Sequence, residues 1–112
     1  MQFIAICEDQ PEELSALSRL LDETLPEFFP NYRIMGYSSG LELMETLRQE
    51  SEIPSLLFLD IYLKDTTGIQ IAQYIRSQGF DIQIIFLTSS REFIMESYDL
   101  NVLYYIVKPL DR

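Results

Sequence analysis

The 112 residues make one domain by length, and a 47% hydrophobic content with 7 Tyr and 7 Phe is enough for a packed core without metal or disulfide staples. The net charge of −10 repels phosphate backbones and argues against direct nucleic-acid contact by this segment. The absence of histidine and the single cysteine, Cys7, exclude His-based catalysis, an internal disulfide and a soft-metal site, so any metal should be hard and bound by oxygen.

The opening Met1-Gln2-Phe3-Ile4 has no basic stretch ahead of an apolar run, and no apolar run approaches the ~18 residues of a membrane span. A reducing, cytoplasmic setting without membrane contact is the expectation.

In chain order, Phe3-Ile4-Ala5-Ile6-Cys7 predicts a buried strand, broken by Glu8-Asp9-Gln10. Pro11 suits a first helical turn, and Leu14, Leu17, Leu21 and Leu25 form one stripe that Pro26 and Pro30 end. Tyr32 to Tyr37 predicts a short edge strand. Ser39-Gly40-Leu41-Glu42 has capping-box spacing and opens a helix through Leu43, Met44 and Leu47 to about Glu50. Leu56-Leu57-Phe58-Leu59 predicts a strand ending at Asp60. Thr66-Thr67-Gly68 turns into a helix with Ile71, Ala72 and Ile75 inward, closed near Gly79. Ile82 to Leu87 predicts a strand ending at Thr88. Glu92 to Leu100 predicts a short helix with Ile94 and Tyr98 inward, and Val102 to Val107 a last strand before Lys108-Pro109.

Strands that are apolar on both faces and alternate with helices imply a parallel sheet covered on both sides. A doubly wound sheet carries its site at the carboxyl ends of the strands. Those ends are where Glu8, Asp9, Asp60, Thr88 and Lys108 fall. Taken singly, each residue has an ordinary reading: a strand-ending turn, a helix cap, a satisfied hydroxyl, a surface lysine. Their joint placement is the functional signal. Carboxylates gathered in one cleft repel unless a cation neutralises them, and Mg²⁺ is the natural hard, octahedral choice. Phosphoryl transfer uses such a metal together with an in-line nucleophile, which a carboxylate can be. Lys108 and Thr88 supply a cation and a hydroxyl for the remaining phosphoryl oxygens.

At this point the chain resembles, over nearly its whole length, the receiver domains of bacterial response regulators. The matching pieces are Cys7-Glu8-Asp9, Leu59-Asp60-Ile61, Gly68, Leu87-Thr88-Ser89 and Tyr105-Ile106-Val107-Lys108-Pro109. Ile6-Cys7-Glu8-Asp9, Ile85-Phe86-Leu87-Thr88-Ser89 and the run from Tyr98 to Tyr105 look like the LytTR-type branch, in which a β-rich DNA-binding domain follows. The resemblance implies a flavodoxin-like five-stranded parallel sheet of order 2-1-3-4-5. It implies Asp60 as phosphoacceptor, and Mg²⁺ held by Asp9, by Asp60, by Glu8 mainly through water and by the Tyr62 carbonyl. It implies Thr88 as the switch hydroxyl, Tyr105 as the switch aromatic and Lys108 as the cation on the phosphoryl group.

The implied partners are a sensor histidine kinase and a C-terminal DNA-binding output domain, with room for a homodimer. The chain is then no conventional enzyme, although it catalyses its own phosphorylation and dephosphorylation at Asp60. Two departures stand out. Glu8 replaces the commoner Asp. Lys64 stands where most receivers have proline, which should leave the loop looser and add a charge.

Other readings are a phosphorylation-independent pseudo-receiver, which the intact Asp60, Thr88 and Lys108 argue against and a test of Mg²⁺ binding discriminates, and a flavin domain, which an absorbance spectrum tests. An aspartyl phosphatase of the haloacid type would want an acid where Tyr62 stands. A fifth helix should follow Pro109, but Leu110, Asp111 and Arg112 are too few for one. The chain therefore reads as a receiver cut at its boundary, and apolar side chains of the first, third and fifth strands should be exposed on that face and favour self-association.

Overall fold

The computed structural model describes residues 2–50 and 52–108. Five strands alternate with helices: β1 Gln2–Cys7, α1 Pro11–Thr24, β2 Tyr32–Tyr37, α2 Gly40–Gln49, β3 Leu56–Asp60, α3 Gly68–Ser77, β4 Gln83–Thr88, α4 Ile94–Asp99 and β5 Tyr104–Val107. A 3₁₀ turn, Leu25–Glu27, follows α1. All ladders are parallel and the sheet order is β2-β1-β3-β4-β5, as expected.

The alternation of side chains along the strands builds two cores. On one face Ala5, Cys7, Leu57, Leu59, Ile84 and Phe86 pack against Leu43 and Leu47 of α2 and Ile71, Ala72 and Ile75 of α3. On the other, Ile4, Ile6, Phe58, Ile85 and Leu87 meet Leu17 and Leu21 of α1 and Leu25. Each such buried Leu or Ile contributes roughly 1.5–3 kcal/mol relative to exposure. Ser39 caps α2, its Oγ accepting from the Glu42 amide at 3.3 Å, and Thr67 caps α3 through the Gln70 amide at 3.2 Å. Both caps hold the helix starts at the carboxyl edge of the sheet.

Gly68 is required there. A Cβ at this position would lie 2.4 Å from the Asp60 carbonyl oxygen and 2.9 Å from the Ile61 Cα. The Gly68 amide donates to the Ile61 carbonyl at 2.8 Å, so α3 starts pressed against the backbone that follows Asp60. At the other end, Gly79 takes a left-handed φ of 74° and closes the helix.

Three expectations change. The inward stripe of α4 is displaced by one residue: Ser97 is buried while Ile94 and Tyr98 are exposed, Tyr98 by 85%. Phe93, Ser97 and Leu100, spaced four and three apart, face the core instead, and the small Ser97 satisfies its hydroxyl on the Ile94 carbonyl at 2.7 Å. β5 begins at Tyr104 rather than Val102, after Asn101 has turned with a left-handed φ of 56°. On the face expected to be bare, Ile4, Ile6 and Phe58 are buried, with α1 covering β1 and β3. Among the described residues, exposure there is greatest in β5, where Ile106 is half-buried and Tyr104 is exposed, while Leu56 at the start of β3 is half-buried. Pro109 to Arg112, where the fifth helix was expected to begin, lie outside the described residues.

Candidate functional site

Polar residues collect where the strands end. β1 runs into Glu8 and Asp9, β3 ends on Asp60, β4 ends on Thr88, and Lys108 follows β5. Because Cys7 pairs with Leu59, residue 8 comes to lie beside residue 60. One carboxylate oxygen from each of Glu8, Asp9 and Asp60 lies within 4.8 Å of the others. Glu8 is 2% exposed and Asp60 5%, so water screens neither charge well.

Burial, and then the negative charge of Glu8, push the Asp60 carboxyl well above the usual carboxylate range, against the opposing pull of Lys108. The Tyr62 amide also donates to Asp60 Oδ1 at 3.3 Å, which places the Tyr62 backbone beside the carboxylate. Asp9 is fixed differently: its Oδ2 accepts from the backbone amide of Lys64 at 2.7 Å. Proline has no amide hydrogen to offer. The lysine at this position therefore ties the loop to Asp9, contrary to the expectation of a looser loop.

Lys108 crosses the site. Its Nζ lies 2.6 Å from Glu8 Oε1, 2.6 Å from Glu13 Oε1 and 3.4 Å from Asp60 Oδ2. Burial works against its charge, but the bonds to Glu13 and Glu8 outweigh this and raise the affinity of the ammonium for its proton. A cavity of about 420 Å³ opens on this edge, lined by Gln10, Glu13, Asp60, Tyr62, Ser89 and Lys108.

Thr88 is fully buried and does not line the cavity, whereas its neighbour Ser89 does. Thr88 Oγ1 accepts from the Ser90 amide at 3.3 Å. The Tyr105 hydroxyl donates to the Ser90 carbonyl at 2.6 Å, and its ring stands edge-on to Phe86 at 6.3 Å. Thr88 and Tyr105 thus meet at Ser90. Cys7 takes no part: burial and the surrounding carboxylates push its thiol up to about 12, where it is inert.

The sequence reading named Glu8, Asp9, Asp60, Tyr62, Thr88, Tyr105 and Lys108. It did not name Glu13, whose only signal was an acid in the first turn of α1, a position the helix dipole favours in any helix. Ser89 stood only within the matched run Leu87-Thr88-Ser89, with no role of its own, and side-chain identity does not reveal the role of the Lys64 amide.

The response regulator receiver domain family matches residues 4–112. The chain belongs to this family. It is 33% identical over 107 residues to the sensory transduction protein LytR of Staphylococcus haemolyticus, covering 95% of this chain and 39% of that one. It is 30% identical over 109 residues to the transcriptional regulatory protein CitB of Klebsiella pneumoniae, covering 94% of this chain and 43% of that one. This receiver therefore spans less than half the length of these relatives. Among solved structures it resembles the response regulator TrrA of Thermotoga maritima in complex with Mg²⁺ and BeF, with a TM-score of 0.81 at 25% identity, over 99% of this chain and 90% of that one. The Mn²⁺-bound form of response regulator Rcp1 gives a TM-score of 0.80 at 27% identity, over 99% and 84% respectively. The domain is the receiver of a response regulator in a two-component system, and the relatives place it near the LytTR-type branch. No helix among the described residues is long and apolar enough to cross a membrane.

Proposed function

We propose that this receiver is a phosphorylation-dependent switch: it accepts a phosphoryl group from a sensor histidine kinase onto Asp60 and controls a C-terminal, DNA-binding output domain. The observation that carries this reading is the meeting of Glu8, Asp9 and Asp60 oxygens within 4.8 Å, with Lys108 3.4 Å from Asp60 Oδ2.

The donor set fits Mg²⁺. It is all oxygen and buried enough to need neutralising, and opposite ligands of an octahedral Mg²⁺ stand about 4.2 Å apart. Asp9 and Asp60, Glu8 through water, and the Tyr62 carbonyl would hold the ion. When bound it would offset negative charge on the carboxylates and on the phosphoryl oxygens. That TrrA was obtained with Mg²⁺ and BeF, and Rcp1 with Mn²⁺, supports the assignment by analogy.

The chemistry of the chain's own residues follows. An ionised Asp60 oxygen forms a bond to phosphorus as the phosphorus–nitrogen bond of the donor phosphohistidine breaks, and the imidazole nitrogen keeps the electron pair. Lys108 stabilises the transferred charge from the end of β5. The Thr88 hydroxyl leaves Ser90 for a phosphoryl oxygen, which frees the Tyr105 contact on the same residue. The segment between them, α4 and its flanks, is the element whose population shifts. Its exposed Ile94, Met95 and Tyr98 are weakly anchored, as a movable element requires.

Incubation with acetyl phosphate and Mg²⁺ should add one phosphoryl group by intact mass, and Asp60→Asn should accept none. Full labelling of Asp60→Asn would overturn the proposal.

A further inference from the structure

Lys108 is held by an acid that the transfer chemistry does not need. Glu13 lies in the first turn of α1 and contributes no oxygen to the carboxylate cluster, yet its Oε1 is as close to Lys108 Nζ, at 2.6 Å, as that of Glu8. Its side chain is 45% exposed and lines the same cavity as Asp60. Among the described residues lining that cavity, Lys108 is the only cation. A phosphodonor approaching Asp60 therefore meets the Glu13 carboxylate at the cavity wall, and must draw to itself a lysine that Glu13 already neutralises. Both effects grow with the negative charge the donor carries.

We propose that Glu13 selects phosphodonors by their charge, disfavouring doubly charged donors relative to singly charged ones. The inference rests on the reading of Asp60 as the acceptor. It makes Glu13 a specificity residue acting through Lys108 and through the field in the cavity, not a residue that touches phosphorus.

Two small donors separate charge from reactivity. Acetyl phosphate is close to a dianion at neutral pH. Phosphoramidate is a monoanion with a protonated nitrogen. In each case a bond forms between an Asp60 oxygen and phosphorus. The phosphorus–oxygen bond to acetate or the phosphorus–nitrogen bond to ammonia breaks, and the leaving group keeps the electron pair. With Mg²⁺ present, intact mass at timed quenches gives a rate constant for each donor.

Glu13→Gln should raise the acetyl phosphate rate constant about fivefold and the phosphoramidate rate constant only about twofold, the effects on a dianion and on a monoanion of one unit charge about 8 Å away in water-like surroundings. Glu13→Ala, which removes the charge without supplying an amide, should give the same ordering. The advantage of both variants should shrink as salt is added. Glu12→Gln removes the same charge from the neighbouring exposed position of α1 and should leave the ratio of the two rates unchanged.

Equal changes for both donors, or none, in Glu13→Gln and Glu13→Ala would overturn the proposal while leaving Asp60 as acceptor intact. A similar shift in ratio for Glu12→Gln would also overturn it, by showing only the net charge of the domain. Wild-type protein that accepts phosphoryl from neither donor would overturn the reading of Asp60, and this inference with it.

Discussion

The backbone amide of Lys64 donates to Asp9 Oδ2 at 2.7 Å, joining the loop after β3 to the loop after β1. The bond depends on what residue 64 is not. Any residue but proline offers the hydrogen. Lys64→Pro should lower stability by about 1 kcal/mol, the usual net worth of a hydrogen bond, while Lys64→Ala should match wild type. Urea melts of the two variants decide this. A Lys64→Pro protein as stable as Lys64→Ala would show that the amide contributes nothing.

The same loop is clamped a second time. Asp65 accepts from Ser39 Oγ at 2.6 Å, from the Leu41 amide at 3.0 Å and from the Gly40 amide at 3.2 Å, so it docks the β3–α3 loop on the start of α2. The bond from Ser39, then that from Leu41, lower its pKa below the ordinary 3.8. A carboxyl with a lowered folded-state pKa binds fewer protons folded than unfolded between the two values. Its stabilisation is therefore complete above the ordinary value and is lost as pH falls through the folded value. Asp65→Asn should be less stable than wild type at pH 7, and the gap should close as the pH drops well below 3.8. A gap that persists unchanged at low pH would assign the loss to shape and not to charge.

Divalent binding should stabilise the fold by mass action, since the Glu8, Asp9 and Asp60 oxygens converge only when folded. Addition of Mg²⁺ should raise the melting temperature of wild type. Asp9→Asn should abolish most of that rise, and Glu8→Gln should reduce it less, because Glu8 already spends Oε1 on Lys108 at 2.6 Å and is expected to reach the ion through water. Equal, negligible effects from both changes would remove Asp9 from the ligand set.

The strand-end residues were legible because a parallel sheet forces consecutive strands to finish on one edge, so Glu8, Asp9, Asp60, Thr88 and Lys108 had one place to go. The phase of α4 was not. Ile94 is more apolar than Ser97 and Tyr98 far larger, yet Phe93 and Leu100 set the inward face and the gap between them takes a serine. Glu13 escaped notice because its partner, Lys108, is 95 positions away, and nothing in the local pattern of α1 marks it. Gly68 stood out by its place after Asp60, but the reason, a carbonyl 2.4 Å from where a Cβ would be, appears only when α3 is laid against β3.

The central claim is that Asp60, and not its neighbours, receives the phosphoryl group. Borohydride reduces an aspartyl phosphate to homoserine, leaving a permanent mark at the acceptor. After treatment with acetyl phosphate and Mg²⁺, reduction and peptide mass spectrometry should find homoserine at position 60, with Glu8 and Asp9 unaltered. Homoserine at position 9, or a phosphorylated protein in which position 60 remains aspartate, would contradict the account.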